Sequence, residues 1–309
     1  MTAMFDFPPY RPPSEADSAL IRVTRGCPWN HCTFCGMYKG SQYELRPLAE
    51  IAADIGMLED IFPGSQTVFI ADSDSLQHPD ILEVVQLISR RLPEAKRITS
   101  YARAHTLKHK GVETLKALRE AGLSRVHVGL ESGDRSILKA IRKGATPEIM
   151  IEGGSAARQA GLELCFYVLC GIGGETRWPE HADGTARVIN AAHPDFVRLR
   201  TLTLVPPTPL LETWEAGGFE FIKPLSRLQE TKRLIEQLDV AGCRLASDHV
   251  TNQLWAPEGP IYHGVNGLLP RDKERLVNTL AETIRRLQGR EDIMDAHTLV
   301  RQGYIDSRL

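Results

Sequence analysis

The chain has 309 residues, 42% of them hydrophobic and 25% charged, with a formal net charge of -2. That length is enough for a substantial buried core in one large domain or two smaller ones, and the near-balanced charge gives no electrostatic case for nucleic acid or an anionic membrane as partner. No run of about 18 apolar residues is present, so no membrane-spanning helix is expected, and the opening MTAMFDFPPYRPPSEADSA lacks the basic-then-apolar order of a signal peptide. Six cysteines in such a chain point to metal, catalysis or core packing more than to a disulfide framework, and the expected compartment is the cytoplasm.

Residues 1–17 read as an extended arm, rich in proline and aromatics. ALIRVTR (Ala19–Arg25) then reads as a strand, followed by a cysteine loop and a helix over LAEIAADIGMLEDIF. QTVFIADS is the next strand, with a helix from Pro79, a residue suited to a first helical turn. RITSYAR leads to the helix GVETLKALREAG, whose Gly122 is a C-cap signal. RVHVGLESG leads to SILKAIRKG and PEIMIEGGSAARQAG; LELCFYVLCGIGG leads to a helix around HADGTARVINAA, and DFVRLRTLTLVP follows. About six strand–helix units therefore fill residues 18–218, the pattern of a parallel sheet covered by helices. No G-x-G-x-x-G follows the first strand, which disfavours a dinucleotide-binding sheet. The expected class is α/β, a partial (β/α)6 TIM-like barrel, with residues 219–309 as a C-terminal α-rich extension capping it.

TRGCPWNHCTFCGMYKG places Cys27, Cys32 and Cys35 in a C-x4-C-x2-C pattern directly after the first strand. In a (β/α) architecture that loop lies at the C-terminal face, where active sites are built. Three thiolates can hold three irons of a cubane and leave the fourth open. A closed zinc site would want a fourth ligand, with His31 the local candidate, and a ferredoxin-type cluster would want a fourth cysteine. Cys165 and Cys170 are five apart on one strand and face opposite sides, so they read as buried small hydrophobes, as does Cys243.

The loop, with Phe34 just before its last cysteine, resembles that of the radical S-adenosylmethionine (SAM) superfamily, in the branch of the coproporphyrinogen oxidases and elongator-type enzymes. The usual spacing there is C-x3-C-x2-C, one residue shorter in the first gap. FIADSDSL, VGLESG, VLCGIGGET and LTLVPPTPL resemble the family's strand ends two, four, five and six. The resemblance implies a [4Fe–4S] cluster on Cys27, Cys32 and Cys35, and SAM bound at the open iron. Asp74 would meet its amino group, Glu131 and Ser132 the ribose, and Phe34 and the backbone at Gly171 and Gly173 the adenine. Arg142, Lys143, Arg198 and Arg200 are the cations eligible for its carboxylate, with Arg142 taken. Reductive cleavage would yield a 5′-deoxyadenosyl radical that abstracts hydrogen from an organic substrate, with electrons from an external one-electron reductant of flavodoxin or ferredoxin type.

Tyr101 and Arg103 share a face at the end of strand three and are candidate catalytic residues, or an ion pair inside the barrel. SDHVTN either caps the barrel mouth or forms a helix N-cap and solvated loop. No second cysteine-rich segment for auxiliary clusters is present, and no cobalamin-binding, acetyltransferase or RNA-binding domain is expected within these 309 residues. Two other classes share the cysteine pattern: an iron–sulfur electron-transfer protein with a fourth protein ligand, and a zinc-stabilised (β/α) binding protein.

Overall fold

The computed structural model describes residues 10–304. Of the expected arm, residues 1–9 lie outside the described residues, while residues 10–17 are placed and Glu15 is fully buried. The chain divides into two compact units.

The first unit contains the described residues up to Asn30, together with Met37–Gly129 and Glu152–Leu164. In chain order it holds β1 (Ala19–Arg22), α1 (Leu48–Ile61), β2 (Thr67–Ala71), α2 (Ile81–Arg91), β3 (Arg97–Tyr101), α3 (Ala104–Ala121) and most of β4 (Leu123–Glu131). The strands are hydrogen-bonded in the order β1-β2-β3-β4, all parallel. Parallel neighbours need a crossover, and α1, α2 and α3 provide it. Covered on both faces, the strands are nearly continuous apolar runs: Val68, Phe69, Ile70 and Ala71 of β2 are all buried. α2 buries Ile81, Val84, Val85 and Ile88, a single stripe at helical spacing. Phe69, Tyr101 and His127 pack edge-on, with the Phe69 and Tyr101 rings 5.0 Å apart. Glu15 joins this cluster: it accepts from Ser18 at 2.8 Å, pairs with Arg97 at 3.1 Å and meets His127 Nε2 at 3.3 Å.

The second unit contains His31–Gly36, Leu130–Ile151 and the described residues from Cys165 onward. After β4 come α4 (Arg135–Ala140) and α5 (Pro147–Gln159), then β5 (Glu163–Cys170), α6 (Gly174–Ala192), β6 (Phe196–Thr201), α7 (Pro209–Glu215), α8 (Pro224–Gln237) and β7 (Arg244–Ala246). β5, β6 and β7 are parallel neighbours. Short strands β8 (Leu254–Ala256), β9 (Gly259–Tyr262) and β10 (Asn266–Leu268) follow, then α9 (Lys273–Leu287), β11 (Met294–Asp295) and α10 (Ala296–Arg301). β10 pairs antiparallel with β7, while β8 lies between β9 and β11 in a separate small sheet. The architecture is the expected α/β class, a partial (β/α)6 TIM-like barrel.

Three elements differ from the sequence reading. The first strand ends at Arg22 instead of Arg25, for a reason that belongs to the cysteine loop. The helix expected from Gly111 starts at Ala104 and is broken at Gly111, where φ is 69°; Gly122, at φ 125°, ends it as expected. Within the expected α-rich extension, Arg244–Ala246 pairs parallel with Phe196–Arg198. Three residues are too few to carry a period-2 pattern.

Candidate functional site

On leaving β1 the chain turns out of the parallel sheet. Thr24–Arg25 pairs antiparallel with Glu44–Leu45, and this ribbon closes residues 26–43 into a loop at its base. Asp72, just past β2, is wholly buried and anchors the loop at two points. It accepts from Arg22 Nη2 at 2.7 Å, from the Gly26 N–H at 3.0 Å and from the Tyr38 hydroxyl at 3.3 Å. Burial raises the Asp72 pKa against the opposing pull of Arg22, Gly26 and Tyr38. Gly26 has φ +78°, and a Cβ there would stand 3.0 Å from the Gln42 carbonyl oxygen, so a side chain is excluded next to Cys27. The chain reverses at Asn30, in the left-handed region at φ 45°. Its N–H points at Cys27 Sγ at 3.4 Å, and its side-chain amide donates to the Tyr38 carbonyl at 2.7 Å.

Asp74 is also wholly buried. It accepts the Arg103 N–H at 3.0 Å and the Thr106 hydroxyl at 2.6 Å, satisfying a free donor at the start of α3. Burial raises its pKa over the pull of those two bonds. The Arg103 guanidinium lies over the Trp29 ring of the cysteine loop at 5.1 Å. Tyr101 and Arg103 therefore do different things. Tyr101 packs on Phe69 and His127, whereas Arg103 lies beyond the strand and reaches the loop.

In the second unit, Cys32, Phe34 and Cys35 flank a pinned segment: the Thr33 N–H donates to the Ile141 carbonyl at 3.0 Å, and its carbonyl accepts from Leu210 at 2.9 Å. α4 ends in a turn in which Arg142 takes φ 52° and the Lys143 N–H reaches the Leu138 carbonyl at 3.0 Å. This turn leaves Arg142 exposed and brings Lys143 inward. Lys143 Nζ stands 2.8 Å from Glu131 Oε1 and 6.0 Å above the Phe34 ring. Burial opposes the ammonium charge, but Glu131 and the Cys32 and Cys35 thiolates outweigh it and raise the Lys143 pKa. Glu131 itself adopts φ 60°, with the Ser132 N–H bonded to the Leu130 carbonyl at 2.8 Å around it. A non-glycine residue held in that γ-turn is a strain common at functional sites. Lys143, one residue past the expected Arg142, is thus a cation that faces Cys32 and Cys35. The signal that distinguishes them is the C-terminal turn of α4, which rotates successive side chains apart.

Ser132 is fully buried; its hydroxyl accepts the Asp134 N–H at 3.1 Å and meets His181 Nδ1 at 3.0 Å. Gly171 has φ +84°, donates its N–H to Glu230 Oε2 at 2.9 Å, and would put a Cβ 2.7 Å from Ile222 Cγ2. A Cβ on Gly173 would stand 2.9 Å from the Arg177 carbonyl oxygen. The protein's own packing therefore already requires both glycines.

The six cysteines fall into two classes. Cys165, Cys170 and Cys243 are buried, and burial pushes the Cys170 thiol well above its usual range. Cys27, Cys32 and Cys35 are half-buried. Accessible soft thiols on a short loop, two of them beside an ammonium, are a donor set that fits an iron–sulfur cluster. Among the described residues no three His, Cys, Asp or Glu side chains converge as a single ion needs; a cubane puts each thiolate on its own iron and does not ask for that convergence.

Residues 21–183, more than half of the chain, match the Radical SAM superfamily model. The chain belongs to the radical SAM superfamily. The cofactors of this family are a [4Fe–4S] cluster and SAM, and its enzymes need an external reductant. The chain is 25% identical over 198 residues to an uncharacterized methyltransferase of Pyrococcus horikoshii, an alignment covering 63% of this chain and 41% of that protein. Among solved structures, it is similar to the radical SAM methyltransferase TsrM from Kitasatospora setae with cobalamin and a [4Fe–4S] cluster bound. There the TM-score is 0.52 at 22% identity, over 64% of this chain and 37% of that one. It is also similar to methylornithine synthase, with TM-score 0.51 at 17% identity, over 93% of this chain and 85% of that one. The chain spans about two-fifths of the length of the curated relatives it matches. Among the described residues no helix is long and apolar enough to cross a membrane.

Proposed function

We propose that this radical SAM chain reductively cleaves SAM at a [4Fe–4S] cluster held by Cys27, Cys32 and Cys35, and abstracts hydrogen from an organic substrate. The observation that carries this reading is the contrast between three accessible thiols on one anchored loop, inside the matched family region, and three thiols sealed in the core. The bound cofactors would supply the electron and the 5′-deoxyadenosyl radical; the protein supplies binding, orientation and shelter from water and oxygen. Asp74 would accept the SAM ammonium while keeping its bonds to Arg103 and Thr106, since a carboxylate has lone pairs beyond those two. Glu131, held by Lys143, would accept from a ribose hydroxyl. Residues 18–218 would form the catalytic barrel, 1–17 an arm and 219–309 a capping extension, with a flavodoxin- or ferredoxin-type protein as reductant and the cytoplasm as the compartment.

Anaerobic reconstitution followed by dithionite reduction with SAM tests this reading. About four irons per chain and release of 5′-deoxyadenosine and methionine are expected. Iron incorporation without any SAM cleavage, even with candidate substrates present, would return the chain to the electron-transfer class. Methyl transfer is a second reading, favoured by the Pyrococcus horikoshii relative's description as a methyltransferase. Methyl-labelled SAM separates the two: label leaves in methionine in the first and reaches the substrate-derived product only in the second.

A further inference from the structure

Successive residues on β5 and β6 point to opposite faces. Phe166, Val168, Val197 and Leu199 are buried on one face; Tyr167, Arg198 and Arg200 occupy the other, with Tyr167 paired in register to Arg198. Two guanidiniums thus stand side by side on one face of β6, next to its C-terminal end. Arg200 lies over the Tyr167 ring at 5.5 Å, and its Nη1 donates to the carbonyl of its own neighbour, Leu199, at 2.9 Å. The Arg198 guanidinium makes no hydrogen bond or ion pair to a described residue, and its Nε is buried without a partner.

The surroundings do not balance this charge. Burial, and then the neighbouring Arg198, lower the Arg200 pKa, while Tyr167, Asp248 and Cys165 pull the other way. Asp248 is exposed and, among the described residues, forms no ion pair with either arginine. His249, which also faces Arg200, has its pKa lowered to about 4 by burial and by Arg200 itself. Guanidiniums withdrawn from water without counter-ions are costly unless something pairs with them. A planar fork of five donors matches the two oxygens of a carboxylate or phosphate, and the Tyr167 ring fixes the plane of one fork.

We propose that Arg198 and Arg200 bind an anionic group of the substrate, which makes the substrate an organic acid or a phosphate ester. The inference rests on the reading of the chain as a radical SAM enzyme acting on an organic substrate, and it places substrate recognition on β6.

The test titrates the reconstituted full chain with succinate, and separately with inorganic phosphate, at constant ionic strength, following Tm. A saturable rise is expected with one of them, and which one identifies the acid type. The Arg198→Gln/Arg200→Gln double variant should weaken half-saturation by at least about tenfold. Arg187→Gln, on the exposed side of α6, should leave it unchanged. In the wild-type protein the same anion should slow phenylglyoxal modification of Arg198 and Arg200, read by peptide mass mapping, which decides the matter if the double variant does not fold. No saturable response to either anion, an equal response in the double variant, or no protection of the two arginines overturns the proposal. Competitive displacement of the anion by SAM alone also overturns it, because the arginines would then serve the cofactor. Iron content and 5′-deoxyadenosine release are measured on the same samples; their failure with the anion response intact sinks the radical reading and leaves the anion site standing.

Discussion

The two units support the two ends of one cysteine segment with opposite charge. On the Cys27 side the buried group is an anion: Asp72 gathers Arg22, the Gly26 N–H and the Tyr38 hydroxyl, and its work is mechanical. On the Cys32 and Cys35 side the group is a half-buried cation: Lys143, tied to Glu131, faces the thiolates themselves. An anion directly against thiolates would repel them, so Asp72 acts through the backbone, one residue away from the sulfur. A cation can stand close, because it favours the charged form of what it faces. One side fixes shape and the other sets electrostatics.

The largest test of that division removes a thiol. Cys32→Ala should abolish iron incorporation and leave the fold intact, since its side chain is half-buried; Cys165→Ala should keep the cluster and cost about 1 kcal/mol or more as a small core cavity. Iron and sulfide content with urea unfolding of both variants checks it. If Cys165→Ala lost the cluster and Cys32→Ala kept it, the two cysteine classes would be wrongly drawn. Next in size is Asp72→Ala. It leaves the Arg22 guanidinium, whose side chain is 8% exposed, without this carboxylate, and should cost about 3–5 kcal/mol in urea unfolding. Tyr38→Phe, which removes a single 3.3 Å bond, should cost about 1 kcal/mol. A small Asp72 effect would break the mechanical half of the comparison.

Much of this was legible in the sequence, and the parts that were not have a common cause. The βα order, the stripe Ile81–Val84–Val85–Ile88 and the cysteine spacing are local patterns, so they can be read directly. Asp72 was not: a carboxylate after a strand looks like any turn residue, and its three partners come from positions 22, 26 and 38. Lys143 and Arg142 are adjacent cations, and which of them turns inward depends on the handedness of one turn. Asn252 shows the same limit from the other side. The polar run SDHVTN reads as a cap and loop somewhat more than as a site, and the structure buries Asn252 against Thr201 and the Leu199 carbonyl as a structural tie.

The two units also differ in how they hold a buried glutamate, and pH separates them. Glu15 loses hydration on burial, but bonds from His127 and Ser18 and the charge of Arg97 bring its pKa down to about 2. A folded-state pKa below the unfolded value means its stabilisation is complete above about pH 4.5 and fades as pH falls toward 2; the shift amounts to about 3 kcal/mol. Glu230 is pushed up to about 8 by burial, which outweighs the Gly171 N–H and Arg227. Its sign is reversed: stabilisation is complete below the unfolded pKa and is lost as pH rises through about 8. Unfolding free energies at acid, neutral and alkaline pH should therefore show Glu15→Gln flattening the acid-side loss and Glu230→Gln flattening the alkaline-side one. Equal pH profiles for the two variants would show that partners do not decide these ionisations.

The smallest expected effect bears most directly on the electrostatic half of the comparison. Lys143→Met removes the cation facing Cys32 and Cys35 while keeping a side chain of similar length, so Phe34 retains a neighbour to pack on. The reduced cluster carries one more negative charge than the oxidised one, and a nearby ammonium stabilises it more. Losing that charge should lower the midpoint potential by tens of millivolts, about 59 mV for each 1.4 kcal/mol of lost attraction. Iron content should stay unchanged. Lys143→Arg keeps the charge and should hold the potential near the wild-type value. Glu131→Gln removes the anion that pairs with Lys143 and should shift it upward. A redox titration followed by electron paramagnetic resonance measures all three. If Lys143→Met left the potential in place but lost the iron, Lys143 would be a structural support of the same kind as Asp72, and the two ends of the loop would be held alike.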